Sequence, residues 1–117
     1  ANNQHILMLQ QVYTYIALRY MDANLSLNEV ASHVNLSPSH FSTVFSQETG
    51  KTFKEYLKEV RIKRAKELLR STSLKSFEIS YQIGYSDPHY FSYVFRKQTG
   101  LSPKEYRLQA LRMTVPG

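Results

Sequence analysis

The chain has 117 residues, and 42% of them are hydrophobic, which is enough for a packed core and argues against a disordered tail. It contains no cysteine, which excludes disulfides and thiolate metal sites and is compatible with a reducing cytoplasm. The longest strictly apolar run covers residues 6–9, far fewer than the ~18 residues of a membrane span, and no signal-peptide pattern opens the chain. We therefore expect a cytoplasmic protein with no membrane partner.

The formal net charge of +6 is unevenly distributed along the chain. Up to Gly50 there is one basic residue against three acidic ones, whereas from Lys51 onward there are fourteen against six. The excess is densest over residues 51–75, where nine Lys or Arg residues accompany three Glu. Such a segment attracts polyanions without sequence preference, although a solvated helix face with Glu–Lys pairs is an alternative.

Hydrophobic periodicity and helix-start signals predict seven helices and no strand, so the expected fold class is all-α. In chain order the predicted helices cover about residues 5–22, 27–34, 38–50, 53–70, 77–83, 88–99 and 103–112. These helices group into three predicted segments: an N-terminal helix with a first helix-turn-helix in residues 1–52, a linker helix in residues 53–71, and a second helix-turn-helix with a C-terminal helix in residues 72–117.

Capping signals indicate where several of these helices begin and end. Ser26, Thr52 and Ser102 are each followed three residues later by Glu, which is the capping-box pattern. The third and sixth helices each begin with a proline behind a capping side chain: Ser37 before Pro38, and Asp87 or Ser86 before Pro88. Gly50 is suited to end the third helix in the left-handed conformation.

The chain contains the same unit twice, because residues 30–56 recur as residues 79–106. The offset is fifty after the turn, where it pairs Phe41 with Phe91, Val44 with Val94, Phe45 with Phe95, Thr49 with Thr99, Gly50 with Gly100 and Tyr56 with Tyr106. The offset is forty-nine before it, where it pairs Val30 with Ile79, Val34 with Ile83 and Asn35 with Gly84. One residue is therefore inserted in the turn of the second copy, and two copies suggest a grip on a repeating partner.

Each copy has the pattern of a helix-turn-helix, in which two short helices are joined by a tight turn and the second helix enters the DNA major groove. At the turns, Asn35 and Gly84 are residue types that readily adopt positive φ. The small residues Ala31 and Ser80 allow the two helices to approach closely. Because the pattern occurs twice around a basic helix, we expect the partner to be double-stranded DNA.

Three stretches of the sequence also carry a family resemblance: LNEVASHVNLSPSHFSTVF, RIKRAKELL and IGYSDPHYFSYVFRKQTGLSPKEYR. They resemble the DNA-binding domain of AraC/XylS-type bacterial transcription regulators over about residues 27–107. The resemblance implies two helix-turn-helix subdomains that are joined by a long linker helix and enter successive major grooves on one face of DNA. It also implies a role in regulating bacterial transcription. Larger members of the family carry an additional ligand-binding or receiver domain, and contact with RNA polymerase is compatible with the family and with the basic surface.

A helical wheel separates the core side of the third helix, which carries Phe41, Val44 and Phe45, from the side that faces away from the core. The residues of that side, and the residues of the sixth helix that match the base-reading positions of the family, are the predicted base-reading set: Ser39, Ser42, Thr43 and Ser46, then His89, Ser92, Tyr93 and Arg96. The predicted phosphate contacts are Ser37, Lys51, Arg61, Lys63, Lys97 and Lys104.

The chain departs from the family at two of these positions. Family members often carry Arg where this chain has Thr43 and Tyr93, and Arg paired with guanine is the commonest specific base contact. Guanine readout at these two positions is therefore not expected. The sixth helix, with His89 and Arg96, is expected to discriminate between sequences more than the third.

Three other functions fit the sequence less well than DNA binding. An enzyme, a metal site or a cofactor is not expected, because the four histidines, His5, His33, His40 and His89, lack the i, i+4 partner of a helical metal site and no Gly-rich phosphate loop exists. A helical-repeat scaffold would need ~3 or more repeats to bury a continuous core, and this chain has two. Stacking of single-stranded bases on the Tyr-rich surface is a further possibility, but Phe41, Phe45, Phe91 and Phe95 have core spacing and are expected to pack inside.

Overall fold

A computed structural model of the protein describes residues 3–114, and this part of the chain contains seven α-helices and no strand. The helices are α1 (Asn3–Arg19), α2 (Leu27–His33), α3 (Pro38–Thr49), α4 (Phe53–Ser71), α5 (Ser76–Gln82), α6 (Pro88–Thr99) and α7 (Pro103–Thr114). The predicted all-α class is confirmed. None of the helices in residues 3–114 combines the length and the apolarity that crossing a bilayer requires.

Side-chain caps hold the helix starts where the sequence predicted them. The hydroxyl oxygens of Ser26, Thr52 and Ser102 accept hydrogen bonds of 3.1–3.2 Å from the backbone N–H of the Glu three residues later. For α6 the cap is Asp87, whose carboxylate accepts from the N–H of His89 at 2.9 Å. The alternative cap Ser86 is therefore not used.

Two of the boundaries that differ from the prediction have a local reason. The first helix ends at Arg19, because Asp22 folds the chain back by accepting hydrogen bonds from the guanidinium of Arg19 and the N–H of Asn24. The fifth helix begins at Ser76 rather than after it. Its start is fixed by Glu78, whose carboxylate accepts the N–H of Lys75 at 2.9 Å.

The chain divides into two compact units, Ala1–Val60 (unit 1) and Arg61–Gly117 (unit 2), with the boundary inside α4. The core of unit 1 is formed by α1, α2, α3 and the first part of α4, and its buried members are Val12, Ile16, Leu25, Val30, Ala31, Phe41, Phe45, Phe53 and Leu57. Phe41, Phe45 and Phe53 contact one another edge to face or tilted, with ring centroids 5.5–6.4 Å apart.

Unit 2 buries the counterpart residues of the second copy. Its buried hydrophobic side chains are Ile62, Ala65, Leu68, Leu69, Ile79, Ile83, Tyr85, Phe91, Val94 and Phe95. The repeat extends to individual contacts. Phe45 meets Tyr56 edge to face with ring centroids 5.8 Å apart, and Phe95 meets Tyr106 in the same way at 5.5 Å. Two helix-turn-helix units therefore have the same internal construction.

The two turns have the same length and the same hydrogen bond. Asn35 has a φ of +60° and Gly84 a φ of +103°, as the residue types predicted. The N–H of Leu36 donates to Ala31 O at 2.9 Å, and the N–H of Tyr85 donates to Ser80 O at 2.9 Å. Because both bonds span five residues, the inserted residue of the second copy is not inside the turn. It is Ser86, which lies between the turn and the cap of α6.

Candidate nucleic-acid interface

Three buried residues fix which side of α3 and of α6 faces outward. In α3 these are Phe41, Val44 and Phe45, and in α6 they are their repeat counterparts, each at most 5% exposed. The side away from these residues carries the predicted base-reading set. Within that set Ser39, Thr43, His89, Tyr93 and Arg96 are exposed, whereas Ser42, Ser46 and Ser92 are half-buried at its edges. All eight side chains thus lie on two helix faces that are open to a partner.

The two faces differ in chemistry although they occupy equivalent places. The α3 face presents four hydroxyl side chains and no charge, because Ser39, Ser42, Thr43 and Ser46 are its members. In α6 the counterparts present an imidazole, a hydroxyl, a phenol and a guanidinium. A hydroxyl donates or accepts and therefore discriminates weakly between bases, whereas a guanidinium donates in a fixed fork that matches guanine.

Among residues 3–114, the anionic neighbour of Arg96 is Glu105, with 3.7 Å between Arg96 Nη1 and Glu105 Oε1. The pair is exposed, with 67% and 53% of the two side chains accessible, so it is weak. Glu105 has a stronger attachment in the capping box of α7, where Ser102 N–H donates to it at 2.8 Å. This bond and the Ser102 hydroxyl, with the charge of Arg96 adding, lower the pKa of Glu105. Arg96 is therefore available to another anion or base edge.

Five of the six predicted phosphate contacts do not lie in the core. Ser37, Lys51, Lys63, Lys97 and Lys104 are all exposed. Lys51 is held by Glu59, with 2.5 Å between Nζ and Oε2, and this hydrogen bond raises the pKa of the Lys51 ammonium. Ser37 uses its hydroxyl oxygen to cap α3 by accepting the N–H of His40 at 3.1 Å. Its hydroxyl hydrogen remains available as a donor.

The sixth predicted phosphate contact, Arg61, is in a different environment. It is 8% exposed, and its guanidinium carbon lies 5.3 Å from the centroid of the Tyr85 ring. A cation over an aromatic face is attracted by the ring, and the attraction grows where water is excluded. The burial of Arg61 argues against a phosphate contact, and we interpret it as a residue that holds Tyr85.

The charge is concentrated in one unit. Unit 1 has four Lys or Arg residues and five acidic ones, a net charge of −1, whereas unit 2 has eleven and four, a net charge of +7. The difference matters because long-range attraction to a polyanion scales with local net charge. Unit 2 is therefore the main source of attraction to an anionic partner.

Two exposed residues next to the predicted set were missed by the sequence analysis. Tyr90, which is 48% exposed, stacks on Tyr93 with ring centroids 6.4 Å apart. Its repeat counterpart His40 is also exposed. The signal was present, because the fifty-residue offset places these two residues at the same helix position one residue before a core Phe.

Residues 30–109 match the helix-turn-helix domain family. Among curated proteins, the arabinose operon regulatory protein of Escherichia coli (strain K12) is 37% identical over 99 residues, which are 85% of this chain and 34% of that protein. The chain spans about a third of the length of the curated relatives it matches.

Two solved structures share the fold. The C-terminal domain of AraT, a response regulator from Geobacillus stearothermophilus, is 37% identical with a TM-score of 0.84, over 87% of this chain and 84% of that one. The DNA-binding domain of AdpA, a global transcriptional factor crystallised with a target DNA, is 23% identical with a TM-score of 0.86, over 93% of this chain and 97% of that one. At this level of identity the second likeness shows the fold.

Proposed function

Since the chain belongs to the AraC-type family of helix-turn-helix transcription regulators, whose members are not enzymes, we propose that it binds specific sequences in double-stranded DNA. The two helix-turn-helix units would place α3 and α6 in adjacent major grooves and so regulate bacterial transcription. The observation that carries this proposal is the outward helix face of each unit. Its orientation is fixed by the Phe residues that are buried on the opposite side of the same helix.

Base reading is assigned to the eight residues of these faces, with different weight for the two helices. On α6, Arg96 is suited to donate two hydrogen bonds to guanine, and His89 lies on the same face near the helix start. On α3, Ser39, Ser42, Thr43 and Ser46 form hydrogen bonds with donors or acceptors alike, so they supply contact with less discrimination. The second half-site should therefore be the more sharply defined.

Phosphate contact is assigned to the exposed set of Ser37, Lys51, Lys63, Lys97 and Lys104. These residues neutralise backbone charge and fix the register of the protein on the duplex without reading sequence. Lys51 must exchange its contact with Glu59 for phosphate, so we expect it to contribute less than Lys63. Arg61 is left out because it is buried.

The complete regulator is proposed to carry a further domain, since the relatives are about three times as long as the matched region. That domain would sense a ligand or receive a signal. We also propose that this basic domain contacts RNA polymerase. The protein would act in the cytoplasm, where the DNA is.

The test is to select bound sequences from a random duplex library and then to titrate salt on the selected duplex and on a scrambled one. We expect a motif with two half-sites and a steep fall of affinity with salt on both duplexes. A helical scaffold for another protein would show neither the motif nor the salt dependence. A single-strand binder would prefer single strands to the duplex. The four repeated Phe rings cannot stack on bases, because Phe41, Phe45, Phe91 and Phe95 are 0% exposed.

A further inference from the structure

The outward face of α6 carries an apolar patch at its N-terminal half. Tyr90 and Tyr93 are 48% and 59% exposed, and their rings stack with centroids 6.4 Å apart and planes at 30°. The equivalent positions of α3 are His40 and Thr43, which present far less apolar area. The two rings stand beside cationic side chains, because Arg96 and Lys97 follow on the next turn and are exposed.

The position of this patch is set from the interior of unit 2. The Tyr90 ring meets the ring of Tyr85 edge to face at 5.9 Å, and Tyr85 is 9% exposed. Tyr85 in turn contacts the ring of Phe91, with 5.8 Å between centroids, and the guanidinium of Arg61, 5.3 Å from the Tyr85 centroid. A line of contacts therefore runs from Arg61 through Tyr85 and Tyr90 to Tyr93, so the outer rings are held before any partner arrives.

We propose that Tyr90 and Tyr93 together read the 5-methyl groups of thymine in the major groove. The proposal rests on the DNA binding proposed above and names what one half-site must contain. In the major groove, thymine is the base that adds a methyl group to the polar edge, and apolar side chains recognise it by contact. Tyrosine rings are large and lose little conformational freedom on binding, so they suit this task.

The charge of unit 2 and the spacing of the two rings both favour thymine methyl groups in DNA as their contact. Arg96 and Lys97 lie on the same helix within a unit of net charge +7, which draws the patch to a polyanion rather than to an apolar protein surface. The ring separation of 6.4 Å is close to two base steps, since bases along a strand are ~3.4 Å apart. The patch therefore matches thymines within about three consecutive base pairs.

The test uses the selected duplex and a series of copies in which each thymine of the α6 half-site is replaced by deoxyuridine, which lacks only the methyl group. A buried methyl group changes an affinity by about fourfold, so we expect a fall of about that size at one or two positions. Tyr93→Ala and Tyr90→Ala should bind the parent duplex more weakly and no longer distinguish thymine from deoxyuridine. Both residues are exposed, and circular dichroism checks that the variants remain folded.

Two further variants keep the result specific. Tyr81→Ala removes a tyrosine of unit 2 that is 55% exposed on α5, and it should leave the deoxyuridine effect unchanged. Tyr93→Phe keeps the ring and loses the hydroxyl, so it should also retain the effect. Loss of the effect in either variant would overturn methyl reading by the two rings.

The outcomes separate this inference from the proposed function. Equal affinity of the parent protein for thymine and deoxyuridine duplexes, with the selected motif still bound, overturns the reading of methyl groups and leaves DNA recognition standing. Absence of any selected motif overturns the proposed function itself. A fourfold effect that disappears with Tyr90 and Tyr93 supports both.

Discussion

The second turn depends on a single residue, Gly84. Its φ of +103° is rarely adopted by residues with a side chain, and it is further from the left-handed helical region than the +60° of Asn35. Gly84 is also buried, whereas Asn35 is exposed. We expect Gly84→Val to lower the free energy of unfolding by ~1–2 kcal/mol or more, because a β-branched side chain is strained there. Gly84→Asn should cost less.

Urea unfolding of these variants measures the effect. The matched control is Asn35→Gly at the equivalent place of the first turn, where glycine adopts the same φ freely and little should change. If the Val variant and the parent unfold at the same urea concentration, the strain assigned to the turn is absent.

Arg61 and Lys63 lie on the same helix and should behave in opposite ways. Arg61→Met retains much of the packing but loses the cation over Tyr85, so it should lower the free energy of unfolding by ~1–2 kcal/mol and leave the salt dependence of DNA binding unchanged. Lys63→Ala should leave stability unchanged and reduce the salt slope by ~1, without altering the selected motif. A reduced salt slope with unchanged stability for Arg61→Met would return this residue to the phosphate contacts.

The difference between these two residues shows where sequence reasoning was limited. Arg61 stands four residues after Leu57 and four before Ala65, both buried, so it falls on the apolar stripe of α4. Its charge suggested a surface role. The deciding contact comes from Tyr85, which is distant in the chain, and no local pattern specifies a tertiary contact of this kind.

At the scale of helices, the starts were predictable because capping is local. The capping Ser, Thr or Asp accepts a hydrogen bond from an N–H group at most three residues later. All the residues that decide the boundary are therefore visible in one short stretch of sequence. The apolar face of α1 was less predictable. Ile6, Leu9, Val12 and Ile16 follow at three- and four-residue spacing, as an apolar face requires. Val12 and Ile16 are buried while Ile6 is 44% exposed, because periodicity gives the direction of the face and tertiary packing decides how much of it is buried.

The reading role of α6 is testable by comparing specificity with uniform affinity. Arg96→Ala and His89→Ala should each flatten one position of the second half-site, at a cost of about 1–3 kcal/mol on the preferred duplex. The pair of Arg96 with Glu105 is exposed and weak, so little folding stability should be lost. Each variant is measured on matched and scrambled duplexes at two salt concentrations. Equal losses on both duplexes would make these residues phosphate contacts.

At the scale of the whole molecule, the duplication was the part of the fold most readable from the sequence. Even single hydrogen bonds recur in both copies. The hydroxyl of Thr49 donates to Phe45 O at 2.7 Å, and the hydroxyl of Thr99 donates to Phe95 O at 2.9 Å. The division of labour between the copies was only partly readable. The charge distribution predicted that unit 2 attracts the anionic partner. The position of the exposed Tyr90 ring was not predictable, because it depends on a tertiary contact with Tyr85.

Two reading helices in one chain should require two half-sites at a fixed spacing. Adjacent major grooves on one face of the duplex are ~34 Å or ~10 bp apart, so the half-sites should be separated by about one helical turn. Inserting about 5 bp between them turns the second half-site to the far side of the duplex, so that only one unit can engage its groove.

We expect the affinity for this spaced duplex to fall to that of a duplex in which the second half-site is scrambled, and the scrambled duplex is the matched control. Titration of the parent, spaced and scrambled duplexes at one salt concentration measures the effect. Tight binding to the spaced duplex would mean that the two units bind independently, and then the duplication serves two separate contacts instead of one joint recognition.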